Sequence, residues 1–461
     1  MALLTHAQPK QIKQPSLFQT NPEPPALPGN GHSAFNDPAF ASNKTLPIHR
    51  WVPWIAGFSS EFVKDTLHRY LDGKGTVLDP FSGVGTTLVE AVLLGHDAIG
   101  FEINPYAALA CRVKANAHRI VVQELDDEIS KFQTFYNEAV SSGAPPKSTP
   151  PKGFKTRDEF YSPLVLRKVL ILQDFITTVQ DSNLRDLFRL AFAATMVRYS
   201  NYSYEPSLGR RVSAGKEEIL DFPVAQAILV KLTEMAKDIA WFQANLPKKE
   251  AHVQIINDSF FQNRHYLATA SVDLIVTSPP YLNNYHYNRN TRPQIYWLGY
   301  AERPQDLKHL EESNFGKYWQ TVREQECLKL DFALPGTDLV EKLETLRKLN
   351  HERGIYGGNG WANYAAAYFN DCYRFAMGVK DVLKRNGAAL VVIGNSILQG
   401  VLIPTDQYFG KIAESVGLEL VGIDIPRATR VGNSIIQSGV RVAKAQDSHQ
   451  LYEAVVMLRK G

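Results

Sequence analysis

The stretch "GTVLDPFSGVGTTLVEAVLLGHDAIGFEINP", Gly75 to Pro105, constrains the fold more than any other part of the chain. It reads as a strand (Thr76 to Leu78), a glycine loop, a helix (Thr87 to Leu94) and a second strand (Ala98 to Phe101). Gly95 stops the first helix, and another helix follows the second strand. A strand–helix–strand run of this length is a right-handed crossover that lays two parallel strands side by side. Parallel strands need cover on both faces. Strand signals return at "HVQIIND", "VDLIVTS", "GAALVVIGNS", "LELVGIDI" and "LYEAVVMLR", giving about seven strands, most separated by helices. The expected class is α/β, with helices on both faces of the sheet.

The rest of the chain hangs on that frame. Residues 1–45 are rich in Pro, Gln and Asn, as in "NPEPPALPGNGH", and read as a mobile tail. "WVPWIAGFSSEFVKDTLHRYL" gives an aromatic turn and then a helix that Ser59 or Ser60 can cap. From about Gln123 to Ala244 the periodicity is helical, which marks an insertion after a Ser/Pro/Lys linker at 141–153. A second irregular stretch, 288–360, ends in the loose "GIYGGNG" before a long helix from Ala362 to Leu383. At 461 residues and a formal charge of +3, any polyanion site must come from local clustering. Cys111, Cys327 and Cys372 lie far apart, which argues against zinc and disulfides and suits a reducing cytosol. No charged-then-apolar leader and no apolar run near 18 residues is present, so a cytoplasmic protein with no membrane partner is expected.

In "LDPFSGVGTT" a strand ends in Asp79 and Pro80, and Gly83 and Gly85 let backbone approach a ligand closely. The helix behind them aims its amino end at that ligand, which favours a carboxylate or phosphate. Glu102 ends the next strand, 19 residues beyond Gly83, an offset at which a carboxylate can hold two ribose hydroxyls. Leu88 stands where a dinucleotide fingerprint needs its third glycine, and no Gly-Lys-Ser/Thr follows for a P-loop. A nucleoside cofactor without a diphosphate fits better than NAD or ATP.

"VDLIVTSPPYLNNYHY" ends a strand in rigid, acceptor-rich and aromatic chemistry. Pro279 and Pro280 fix φ and carry no N–H, so the local backbone presents carbonyl acceptors. Ser278 adds a hydroxyl, and Tyr281 a flat face on which a base can stack. The set suits a planar ring with an amino group. The lone pair of such an amine is drawn into the ring. Acceptors on its two hydrogens favour a pyramidal nitrogen that can take a methyl group directly from a sulfonium, with no covalent enzyme intermediate.

Together, "DPFSGVGTT", "FEINP" and "TSPPY" resemble the motifs of the S-adenosylmethionine-dependent amino-group DNA methyltransferases. The resemblance runs from Trp51 to the end, excluding the inserts. It implies a Rossmann-like class I methyltransferase fold with a seven-stranded mixed sheet plus a mainly helical insertion. The loop of Phe81, Gly83 and Gly85, with Asp79 and Thr86 beside them, would hold the methionine end of S-adenosylmethionine. Glu102, next to Ile103, would bind its ribose, and Asp258, next to Ser259, its adenine amino group. Phe58 would match the amino-terminal cofactor motif, and Ser278, Pro279, Pro280 and Tyr281 the catalytic one. Ser-Pro-Pro-Tyr resembles the cytosine N4 version, whereas Asp-Pro-Pro-Tyr is more typical of adenine N6. Cytosine C5 chemistry needs a cysteine nucleophile, and none of the three cysteines follows a proline in the expected motif.

On this reading residues 46–120 form the cofactor-binding half, 121–250 a helical insertion and possible DNA-binding region, and 251–287 the catalytic part. Residues 288–360 are an insertion suited to target recognition, and 361–461 complete the methyltransferase domain. "YLNNYHYNRNTRPQIYWLGY" (281–300) holds six aromatics in twenty residues, with Asn283, Arg289 and Arg292, and suits an extrahelical base with its flanking phosphates. In the helical insertion Arg198, Arg210 and Arg211 surround tyrosines. Over 151–211 there are ten Lys and Arg against six Asp and Glu. Double-stranded DNA is the expected partner, and the family admits a cognate restriction nuclease or defence system. No metal is proposed, because His286 has no second ligand at metal-binding spacing. Adenine N6 methylation, RNA base methylation and a non-catalytic DNA-binding scaffold are the alternatives.

Overall fold

Seven strands form the sheet: β1 (Thr76–Asp79), β2 (Asp97–Phe101), β3 (Val253–Ile256), β4 (Val272–Thr277), β5 (Leu383–Gly394), β6 (Glu419–Thr429) and β7 (Leu451–Arg459). The structure is a computed structural model that describes residues 35–38, 40–54, 57, 59–204, 208–248, 250–282, 290–429 and 451–461. Spatial order is β3-β2-β1-β4-β5-β7-β6. Neighbours from β3 through β5 pair in parallel, and β7 runs antiparallel to both β5 and β6. The sheet is therefore mixed and Rossmann-like, as expected. Strand order reverses between β1 and β4, which opens a crevice at their carboxyl ends.

Register and pleat sort the core. Val77 pairs with Leu274 and Leu78 with Ile275. Side chains alternate between faces along a strand, so Val77, Leu274 and Val276 join one apolar cluster, and Leu78 and Ile275 the other. The first cluster continues into the helices Val122–Ser141, Pro163–Thr178, Ser182–Thr195 and Val224–Ala244, so the helical insertion shares the core of the sheet. This insertion also carries a short hairpin, Tyr202–Tyr204 paired with Leu208–Arg210. The second cluster is covered by the helices Gly358–Val382 and Thr405–Ser415. No helix among the described residues is long and apolar enough to cross a membrane.

Two expectations need correction. The mobile tail expected through residue 45 ends earlier. Phe35 is buried against Phe62 at 5.7 Å, and the Asn43 Oδ1 accepts from the Ser60 N–H at 3.0 Å. Apolar content and a buried amide cap anchor this piece despite its polar composition. The long helix begins at Gly358 rather than Ala362. A Cβ at Gly358 would stand 1.7 Å from the Leu346 carbonyl oxygen, so a glycine is what lets the helix start there against its neighbour. Ser59 does cap the first helix, Ser60–Tyr70, accepting from the Phe62 N–H.

Candidate active site

The carboxyl ends of β1 and β4 are bolted together by one buried carboxyl. Asp79 Oδ1 accepts from Thr277 Oγ1 at 2.6 Å and from the Phe81 N–H at 3.1 Å, and Oδ2 accepts from Thr87 Oγ1 at 2.7 Å. Burial pushes this carboxyl up to about 6, against those three donors. Asp79, expected at the cofactor, is instead fully buried and spent on its own structure. It joins the glycine loop to the strand that carries the serine and prolines.

Past Asp79 the loop turns into a cleft. Gly83 has φ +50°, and a Cβ there would meet the Trp54 indole nitrogen at 3.4 Å. The Gly83 N–H donates to Glu102 Oε2 at 2.8 Å, and the Asn104 N–H to Oε1 at 2.8 Å. Loss of hydration pushes the Glu102 carboxyl up to about 7, although these N–H donors oppose the shift. Gly85 and Thr86 stand back from the cleft. Gly85, at φ +86°, begins the helix Thr86–Leu93, and a Cβ there would lie 2.9 Å from Cys111 Sγ, so its smallness serves helix packing. Asn104 caps the next helix by accepting from the Tyr106 and Ala107 N–H groups, while its Nδ2 donates to Thr291 Oγ1 at 2.7 Å.

The cleft, about 670 Å3 including its open mouth, is lined by Phe81, Gly83, Glu102, Ile103, Asp258, Ser259, Ser278 and Pro280 among the expected residues. Two sequence-distant segments thus share one crevice. Asp258 holds Tyr266 through Oδ2, which accepts from the phenol at 2.8 Å. Pro279 is buried behind its neighbours. Tyr281 is braced rather than free-standing. A Cβ at Gly394 would lie 3.0 Å from its ring, and its hydroxyl donates to Glu453 Oε1 at 3.3 Å. The Ser278 hydroxyl donates to Tyr281 Oη at 3.5 Å. Phe58, Asn283, His286 and Arg289 lie outside the described residues.

The arginines separate into two settings. Arg292 opens the helix Arg292–Trp297 with its guanidinium 5.6 Å from the Tyr296 ring centroid, one residue beyond the Thr291 that bonds cleft-lining Asn104. Arg210 is paired with Asp158 at 2.6 Å, and Arg211 Nε donates to the Glu217 carbonyl at 2.9 Å. Arg198 is exposed, 5.9 Å over the Phe222 ring. The hairpin between them reaches the site, since Tyr204 donates to the Asn290 carbonyl at 2.9 Å and accepts from Gln294 Nε2 at 3.3 Å.

Sequence reasoning missed Trp54, Asn104, Phe260 and the run Ser313–Phe315, all of which line the cleft. Asn104 was findable as a helix cap before Pro105. The run Ser313–Phe315 sits in a stretch without periodicity and carried no signal. Phe315 packs edge-on to Phe81 at 5.2 Å, which closes the glycine loop from the second insertion.

Residues 39–111 match the family model described as DNA methylase. Over 440 residues the chain is 26% identical to the type II methyltransferase M.BsoBI of Geobacillus stearothermophilus, covering 87% of this chain and 84% of that protein. It is 23% identical over 431 residues to the type II methyltransferase M.AvaI of Nostoc sp., covering 88% and 86%. A shorter stretch of 94 residues, 20% of this chain and 18% of the relative, is 32% identical to the type II methyltransferase M.MjaII of Methanocaldococcus jannaschii.

Proposed function

We propose, from the premise that this chain is a relative of the amino-group DNA methyltransferases, that the cleft methylates the exocyclic amine of a base in DNA, with cytosine N4 as the acceptor. The observation that carries the reading is the shared crevice: Gly83 and Glu102 on one side, Ser278 and Pro280 on the other. The residues fit S-adenosylmethionine. Glu102 offers a carboxylate to a ribose diol, Ile103 and Phe260 offer apolar walls, and Asp258 an acceptor for an adenine amine. The loop at Phe81 and Gly83, which lines the cleft, suits the methionine carboxylate. When bound, this cofactor supplies an electrophilic methyl group.

The chain's own contribution is positioning and electrostatics. Ser278 spends its hydrogen on Tyr281, and Tyr281 spends its own on Glu453. The serine oxygen is thereby left as an acceptor at the cleft. With the Ser278 or Pro279 carbonyl it takes the two N–H bonds of a target amine and turns the nitrogen lone pair toward the methyl group. On accepting a methyl group the nitrogen would have to shed one proton, and Ser278 could take it while its own hydrogen passes to Tyr281 and the tyrosine hydrogen to the Glu453 carboxylate. Serine rather than aspartate before Pro-Pro-Tyr supports cytosine N4 over adenine N6. That Arg292 follows the Thr291 bonded to cleft-lining Asn104 supports a contact from this segment to the DNA around a base extruded into the site.

The test is to incubate the protein with duplex DNA and methyl-labelled cofactor, then digest the DNA and identify nucleosides by mass spectrometry. N4-methylcytosine is expected, and Ser278→Ala should lower transfer about a hundredfold. N6-methyladenine would replace the acceptor assignment, and label confined to RNA would overturn the DNA reading.

A further inference from the structure

The catalytic turn is stiff at its prolines and soft where the chain aims Tyr281, and a buried phenol is bonded at that point. In Ser278–Pro279–Pro280–Tyr281 the proline rings fix φ at 279 and 280. Ser278 and Pro279 each precede a proline, which restricts their ψ to extended values. The torsions that aim Tyr281, ψ of Pro280 and φ of Tyr281, are left unrestrained by the proline rings. Tyr368 Oη donates to the Pro280 carbonyl at 3.1 Å. The Leu282 N–H also faces the same oxygen and opposes the rise of the phenol, so one hydroxyl sits beside the backbone on both sides of Tyr281.

Tyr368 is well placed for this. It sits on the helix Gly358–Val382, whose far end meets the start of β4 through the Ala270 N–H and the Asp381 carbonyl. The helix thus runs antiparallel to β4 and brings Tyr368 to the end of that strand. Its side chain is 1% exposed and packs edge-on to Phe315 at 5.4 Å. Phe315 in turn packs on Phe81 of the cofactor loop. Gly316 follows with φ +68°, and a Cβ there would stand 3.0 Å from the Tyr368 ring. Apolar burial pushes the phenol well above its ordinary value, so it remains a donor throughout the working pH range.

We infer that Tyr368 is a positioning residue for methyl transfer, clasping Pro280 and Leu282 so that Ser278 and Tyr281 present a preformed acceptor set to the target base. The inference rests on the reading of the cleft given above. It predicts a split between binding and chemistry, because Tyr368 is not among the residues that line the cleft.

The experiment compares the full chain with Tyr368→Phe. Single-turnover transfer to duplex DNA should fall by at least about tenfold, while affinity for S-adenosylhomocysteine, measured by calorimetry, stays within about twofold. Hydrogen exchange followed by mass spectrometry should show the Leu282 amide opening at least about tenfold faster, with Gly83 unchanged. Transfer equal to the native rate, an unaltered Leu282 amide, or a rate loss matched by an equal loss of cofactor affinity would each overturn the proposal. If Tyr368→Phe does not fold, Gly316→Ala, which presses on the ring without deleting the hydroxyl, should give the same split. A native protein that methylates no DNA would sink the methyltransfer reading instead, and the exchange measurement would still decide whether the clasp exists.

Discussion

The two strand ends that meet at the cleft are held in opposite ways. The β1 end is secured mainly from within one short stretch: Gly83 and Asn104 on Glu102, Phe81 and Thr87 on Asp79. The β4 end depends on partners scattered along the chain. Tyr368 takes the Pro280 carbonyl, Ser396 the Leu282 carbonyl, and Glu453 the Tyr281 hydroxyl. Asp79 is the bolt between them. A cofactor grip can be built from a local βαβ unit, whereas a turn that must present acceptors to a substrate needs bracing from several directions. The expected consequence is a functional division, with β1 governing cofactor affinity and β4 governing the rate of transfer.

Three perturbations test that division, beginning with the most severe. Asp79→Ala strips three hydrogen bonds from a buried carboxyl shared by both ends. It should lower unfolding stability in urea by about 3 kcal/mol and impair cofactor affinity and transfer rate together. A loss in only one of the two would show that the bolt serves a single strand.

Glu102→Gln should weaken S-adenosylhomocysteine binding about tenfold and leave transfer at saturating cofactor nearly unchanged. The native protein should also lose affinity as pH falls through about 7, because the ionised carboxyl is the form that accepts the ribose hydroxyls. Its folded value lies above the ordinary glutamate value of 4.5, so ionisation costs the ligand-free fold stability as pH rises through the window from about 4.5 to 7. Calorimetric titrations across that range check both signs, and the Gln variant should give a flat profile.

The smallest effect is expected at Arg210→Ala, whose guanidinium already pairs with Asp158. Affinity for duplex DNA, read by fluorescence anisotropy, should change less than about threefold. A larger loss would make the hairpin a principal phosphate contact and extend the substrate side of the comparison into the helical insertion.

The same contrast explains what could be read beforehand. Gly83, Glu102 and the two strands beside them are legible because their roles follow from spacing inside about thirty residues. Ser278 and Pro280 are legible as chemistry, since proline and serine declare their acceptors. Tyr368, Phe315 and Glu453 were not. Their importance lies in which distant backbone they meet, and a tyrosine in an amphipathic helix looks the same whether it fills a core or holds a carbonyl. Asp79 misled for a related reason. An aspartate beside a glycine loop resembles a ligand contact until the threonines at 87 and 277 close on it.

The position of β7 has a further consequence, for assembly. It lies between β5 and β6, and it carries the Glu453 that steadies Tyr281. As the chain is synthesised, β5 keeps an open edge and β6 has no place in the sheet until residues 451–459 arrive. Non-local pairings of this kind form late in folding. The brace on Tyr281 is therefore expected to form only after β7 docks between β5 and β6, later than the local pairing of β1 with β2.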